Sequence, residues 1–190
     1  AEFTEGKLIN EGQKETNEKN GTMVKFIPDR HLFVGYAFQM EIVESMMKNY
    51  SYLKKGLTLN FNGTSYKSEN GLLDLIKDNI SETPLYEPIH LVGEDVEIVL
   101  THGNSYGENI ASFINGQNTR EGGTHLAALR EAVVKTLKEF FKKDYDPADV
   151  RGSIIAAISV SVEEPEFESQ TKIKLSSKNM GPGLLSVRQF

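Results

Sequence analysis

There is no cysteine in the 190 residues, so disulfides and thiolate-bound metals are excluded outright. Histidine is scarce as well. His31, His90, His102 and His125 are scattered and match no compact ligand spacing, so no metal site is expected. No apolar run approaches the length needed to span a bilayer, and no basic region followed by an apolar stretch marks a signal peptide. Positive charge is in deficit: 21 Lys and Arg stand against 27 Asp and Glu, a formal net charge of −6. That balance argues against a surface given over to nucleic acid along its whole extent, although a local basic surface remains open. These absences fit a cytoplasmic protein. What remains is ordinary for a globular chain, 38% hydrophobic and 25% charged, and long enough for one large domain or a domain with an appendage.

Glu2 to Gly21 is rich in Glu, Lys, Asn and Gly and reads as a loop. Thr22 to Ile27 alternates as a strand that Pro28-Asp29 stops: an edge strand of the downstream domain, or a remnant of an upstream one. From Phe38 to Leu53 the apolar residues recur at helical spacing. Leu57 to Phe61 and Thr64 to Ser68 then flank Asn62-Gly63, the strongest short hairpin signal, because both positions of a type I′ turn need φ > 0. Gly71 to Ile80 predicts a short helix with Leu72, Leu75 and Ile76 inward, and Pro84 and Pro88 mark a loop. Val96 to Leu100 is a strand, with Asn109 to Asn115 its expected partner. The best helix runs from Thr124 to Lys143, capped by Thr124, with Leu126, Leu129, Val133, Leu137 and Phe140 on one face and Glu131, Lys135, Lys138 and Lys142 on the other. Pro147 starts a short helical turn, and Ser153 to Val162 is β-branched enough for a central buried strand. Pro182 is expected to begin a last helix. The order after residue 28 is roughly α, β, β, α, β, β, α, β. That order predicts an α+β layer, a mixed and mainly antiparallel sheet with helices on one face.

Two short motifs carry the chemistry. Gly122-Gly123 opens the long helix within Arg120-Glu121-Gly122-Gly123-Thr124-His125. Such glycines either present N–H groups to a phosphate or let the chain turn sharply, and both readings stay open. No Walker lysine comes after them, so a P-loop is rejected. Gln170-Thr171-Lys172 lies in a polar loop beyond the buried strand, where a lysine on a flexible stem can pair with a terminal phosphate or simply be solvated surface. Glu163, Glu164, Glu166 and Glu168 nearby form a solvated acidic run, with no base or nucleophile constellation. Arg130 sits at the border of the apolar stripe, either covering core edge or lining a concave surface that faces a polyanion.

The runs Asn115 to Leu126, Ile155 to Val160 and Pro165 to Lys172, with Gly21 to Asp29 ahead of them, together resemble the B subunit of bacterial type IIA topoisomerases, DNA gyrase and topoisomerase IV. The resemblance covers essentially the whole chain. It implies a transducer domain of ribosomal protein S5 domain 2-like fold, with a left-handed βαβ crossover. On that reading residues 1–28 are the last strands of an upstream GHKL ATPase domain. Residues 29–181 are the transducer, and residues 182–190 start a helix leading toward a TOPRIM domain. The resemblance also implies site residues. Lys172 would contact the ATP γ-phosphate, assisted by Gln170 in the Gln170-Thr171-Lys172 loop, and Arg130 would line a DNA-sized cavity between two transducers.

ATP and Mg2+ are the implied cofactors of the intact subunit. Its implied partners are duplex DNA, the A subunit and a second B subunit, with no membrane involved. The ATPase domain's magnesium-coordinating asparagine, catalytic glutamate and glycine-rich lid have no counterpart here. The chain is therefore expected to be a fragment, inactive by itself and binding no nucleotide tightly. The Phe113 to Asn118 stretch and the short Lys143 to Asp149 connection lean toward topoisomerase IV. The alternative class is a freestanding nucleic-acid-binding module of the same fold, against which stand the net acidity and the lack of exposed aromatic platforms. A kinase of related fold fails for want of a phosphate-cradling glycine loop.

Overall fold

The computed structural model describes all 190 residues, Ala1–Phe190, in two units, Ala1–Val43 and Glu44–Phe190. Within the first, β1 (Glu2–Thr4) and β2 (Lys7–Asn10) form an antiparallel hairpin. Glu5 and Gly6 turn it at φ 50° and 75°. The expectation of loop throughout Glu2 to Gly21 is thus corrected over this stretch. Thr22 to Ile27, by contrast, pairs with no strand: alternation without a partner for its ladder leaves the backbone to water. Downstream, Phe26, Phe33, Tyr36 and Phe38 meet edge-to-face, with centroids 4.8–6.0 Å apart.

Helix α1 (Met40–Leu53) has the predicted extent, but Ile42, Met46 and Tyr50 of its apolar stripe stay exposed. Its last turn is what packs. Tyr52 is buried and its hydroxyl donates to Asp78 Oδ2 at 2.5 Å. The hairpin of β3 (Leu59–Phe61) and β4 (Thr64–Tyr66) turns at Asn62 and Gly63 with φ 48° and 83°, as the Asn-Gly pair predicts. Helix α2 (Leu72–Asn79) buries Leu72, Leu75 and Ile76. The side chain of Glu97 caps it, accepting from the Leu72 N–H at 3.1 Å.

A five-stranded sheet organises the second unit. Its strands are β5 (Ile89–Val92), β6 (Val96–His102), β7 (Asn109–Ile114), β8 (Gln117–Asn118) and β9 (Ile154–Val160), in the order β5-β6-β9-β7-β8. β7 was expected to partner β6. Instead β9 inserts between them, antiparallel to β6 and parallel to β7. The parallel pair is joined through β8, α3 (Thr124–Phe141) and α4 (Pro147–Arg151), the βαβ crossover of the expected fold class. β9 can lie at the centre because all but one of its seven residues are buried, and Ala156 and Ala157 leave room on either face.

The mixed, mainly antiparallel sheet is as expected, but its helical cover is two-sided rather than confined to one face. Strand alternation decides this. Ile155 and Ala157 join Val99, Phe113 and the buried residues of α2, whereas Ile158 and Val160 join Ile114, Leu126 and Leu129 of α3. No final helix begins at Pro182. Residues 181–190 are turns, tied back by Met180 N–H to Leu185 O at 2.9 Å and Val187 N–H to Lys178 O at 2.8 Å.

Candidate functional site

The chain from Glu166 to Ser177 folds back on itself as a short arm. Ser176 N–H donates to Glu166 O at 2.9 Å, Phe167 bridges Leu175 in antiparallel sense, and Glu168 N–H donates to Lys174 O at 3.1 Å. An ion pair of Lys174 Nζ with Glu168 Oε1 at 2.9 Å clips the two sides together beneath the tip, and that bond raises the Lys174 ammonium pKa. The tip is the turn Ser169-Gln170-Thr171-Lys172, closed by Lys172 N–H to Ser169 O at 3.0 Å and by the Ser169 and Thr171 hydroxyls, 2.6 Å apart. Gln170, Thr171 and Lys172 are all exposed. Lys172 has φ 54°, a left-handed conformation uncommon for a residue with a β-carbon. Its ammonium makes no ion pair within the chain.

The base of this arm is laced to the start of α3. Glu121 N–H donates to Ile173 O and Leu175 N–H to Gly122 O, both at 3.0 Å, while Thr124 N–H donates to Leu175 O at 3.2 Å. Gly122 and Gly123 take φ 70° and 132°, and a Cβ on Gly123 would lie 2.3 Å from Leu175 O. Gly123 is therefore needed for the close approach of the arm, whereas a Cβ on Gly122 would meet Leu126 of α3 at 2.7 Å. The Gly122 N–H is taken up by Thr119 O at 2.8 Å rather than left open to a phosphate. Gly123 caps α3; Thr124, expected to do so, instead sends its hydroxyl to Ser177 O at 2.6 Å. The two motifs, separate in the sequence, are thus one unit, in which the arm carrying Lys172 is bolted to the helix that carries Arg130.

Just inside that junction lies a polar cluster that no sequence motif marks. Ser112 Oγ donates to Thr119 O and Thr119 Oγ1 to Ser112 O, at 2.8 and 2.9 Å. With both hydroxyl protons so used, His125 Nε2, 3.2 Å from Thr119 Oγ1, is the donor there, and Nδ1 is a buried acceptor without a partner. Burial pushes the His125 pKa down to about 4. The ring is neutral at physiological pH.

Arg130 lies about two turns along α3 from its start, well away from the Gln170 to Lys172 tip in sequence. Its Nε donates to Glu108 Oε2 at 2.6 Å, and Glu108 Oε1 lies 3.0 Å from Arg151 Nε. Between α3 and α4 runs an open groove of about 680 Å3, with Arg130, Lys135, Lys138 and Arg151 supplying positive charge and Glu131 and Glu139 opposing it. The basic stripe is partly neutralised, Lys135 by Glu139 at 3.9 Å and Lys138 by Asp144. No grouping of three or more His, Asp or Glu side chains could hold a metal ion. No helix is long and apolar enough to cross a membrane.

Residues 41–187, most of the chain and all of this arrangement, match the family described as DNA gyrase B. The chain belongs to the DNA gyrase B family. Among its relatives, the B subunit of DNA topoisomerase 4 from Borreliella burgdorferi is 38% identical, over 92% of this chain and 29% of that protein. The B subunit of DNA gyrase from Archaeoglobus fulgidus is 36% identical, over 87% of this chain and again 29% of that protein. The chain thus spans less than a third of the length of these two relatives. In solved structures, the 43K ATPase domain of Thermus thermophilus gyrase B, in complex with an aminocoumarin, superimposes with TM-score 0.65 at 26% identity, over 85% of this chain and 48% of that one. The B-subunit of Myxococcus xanthus gyrase shares the fold, with TM-score 0.70 at 22% identity over 84% and 49%. Membership of the DNA gyrase B family agrees with the resemblance carried by the glycine and Gln-Thr-Lys motifs.

Proposed function

We propose that this chain is the transducer portion of the B subunit of a bacterial type II DNA topoisomerase, coupling ATP binding and hydrolysis to DNA strand passage. Residues 29–181 form the transducer. Residues 1–28 are the end of a preceding ATPase domain, and residues 182–190 lead toward a TOPRIM domain. Lys172 supplies a positive charge to the γ-phosphate and Gln170 a hydrogen bond, the pair being presented with Thr171 at the tip of the arm. Bound ATP with Mg2+ supplies the phosphate charge that Lys172 senses; ligands for the metal come from outside these residues, which offer no carboxylate cluster of their own. Arg130 faces duplex DNA in a cavity made with a second B subunit, the A subunit completes the enzyme, and the setting is the cytoplasm.

One observation carries this reading. An unpaired, exposed Lys172 stands at the tip of an arm whose base is hydrogen-bonded to the start of α3. Pull on the lysine is therefore delivered to a rigid helix rather than lost in a slack loop. A phosphate shifts such an equilibrium only by its differential affinity for the two orientations, and a charge-assisted contact made in one and absent in the other supplies that difference. Decatenation by the reconstituted enzyme tests it. The Lys172→Ala variant, folded normally, is expected to lose ATP-dependent strand passage, and wild-type passage would refute the assignment.

A further inference from the structure

Glu108 sits at the foot of β7 with one carboxylate oxygen on Arg130 of α3 and the other on Arg151 of α4, at 2.6 and 3.0 Å. The three side chains are 23% (Glu108), 40% (Arg130) and 32% (Arg151) exposed, so water and small ions reach the triad. The Arg151 Nε atom is itself buried, and although Glu108 lies at ion-pair distance, the angle falls outside hydrogen-bond geometry. One arginine is thus well satisfied and the other only roughly so. The groove beside them is open and carries further cations at Lys135 and Lys138.

Two guanidinium groups set around a pair of oxygens are also what binds a phosphodiester, whose oxygens match the planar fork. We infer that Arg130 and Arg151 form a paired phosphate-binding site for duplex DNA, and that Glu108 is its built-in competitor, occupying the site when DNA is absent and weakening binding when DNA is present. The inference rests on the reading of Arg130 as facing DNA, and adds to it a second arginine and a restraint. Arg130 is 40% exposed and Arg151 only loosely satisfied, so a polyanion reaches both guanidinium groups and competes with the carboxylate for them. For a cavity that has to pass a duplex rather than keep it, the restraint sets the residence time: Glu108 reclaims the arginines as the phosphate leaves.

The test uses the 190-residue chain, a short fluorescein-labelled duplex at low salt, and anisotropy as readout. Glu108→Gln keeps the size of the side chain and removes its charge. It is expected to raise the association constant roughly tenfold and to steepen the salt dependence by about one phosphate contact. Arg130→Gln or Arg151→Gln, added to Glu108→Gln, is expected to abolish the gain. If Arg130→Gln weakens binding but Glu108→Gln brings no gain, the competitor is refuted while the DNA-facing reading of Arg130 stands. If Arg130→Gln changes nothing in either background, that reading falls and the inference with it. A measurement on the unsubstituted chain guards against misfolded variants. Titration with inorganic phosphate is expected to shift the Nε–H resonances of Arg130 and Arg151 together, and resonances that stay still would overturn the site.

Discussion

His125 shows what a single residue reveals beyond its place in a motif. Its ring is buried, one nitrogen has no partner, and burial holds its pKa down to about 4. In the unfolded chain the ring takes up a proton near pH 6.5, whereas in the folded chain it resists until about pH 4. Between these limits the unfolded state binds more protons, so stability rises with pH in that window. The contribution is complete above about pH 6.5 and is lost as pH falls toward 4, a difference of roughly 3 kcal/mol. Urea denaturation across this range is expected to show a loss in the wild-type chain that His125→Gln lacks; parallel curves for the two proteins would contradict it. The histidine is visible in the sequence beside Gly123-Thr124, but its state is not. Burial and the use of both hydroxyl protons by Ser112 and Thr119 come from strands that meet only in the folded chain. Lys172 is the reverse case. The resemblance carried by the Gln170-Thr171-Lys172 run implies its role, and the fold adds its left-handed backbone and the absence of an ion pair.

Among elements, the arm and α3 depend on one contact. A Cβ on Gly123 would strike the Leu175 backbone 2.3 Å away, at a φ of 132° that L-residues rarely adopt. Gly123→Ala is expected to cost roughly 2–4 kcal/mol and to release the arm. Gly116→Ala is a control, since φ there is also positive, at 81°, but nothing lies within 4 Å. Strain alone should cost about 1 kcal/mol. Equal losses for the two variants in equilibrium unfolding would refute the close-approach argument. Local elements were the readable part of the sequence: the Asn62-Gly63 hairpin, α2 with its inward Leu72, Leu75 and Ile76, and α3 nearly to its end. β5 was not. Ile89 to Val92 is four residues between Pro88 and Gly93, and only pairing with β6 makes it a strand. The triad of Glu108, Arg130 and Arg151 was equally illegible, because its members come from separate parts of the chain and no spacing rule joins them.

At the scale of the molecule, the decisive feature is β9 at the centre of the sheet, with one group of core residues on each face. Amide exchange is expected to be slowest across Ile154–Val160, which is hydrogen-bonded on both sides, and fastest in residues 11–39, which lie outside helix and strand. Faster exchange in β9 than in β5 would contradict the topology. Sequence pattern predicted that β9 is buried, but not that it separates β6 from β7 or that helices cover both faces, since strand order is a choice among long-range pairings. The same topology brings the end of β9 and the arm beyond it against the start of α3, so the proposed phosphate sensor and the proposed DNA-facing helix are joined by direct backbone hydrogen bonds. That coupling is the central claim, and ATP turnover by the intact B subunit carrying Lys172→Ala tests it most directly. Lys172 is exposed and unpaired, so the fold should be unchanged; turnover is expected to fall by about 100-fold, the scale of losing one charge-stabilising contact to a reacting phosphate. Wild-type turnover by the folded variant would contradict the account.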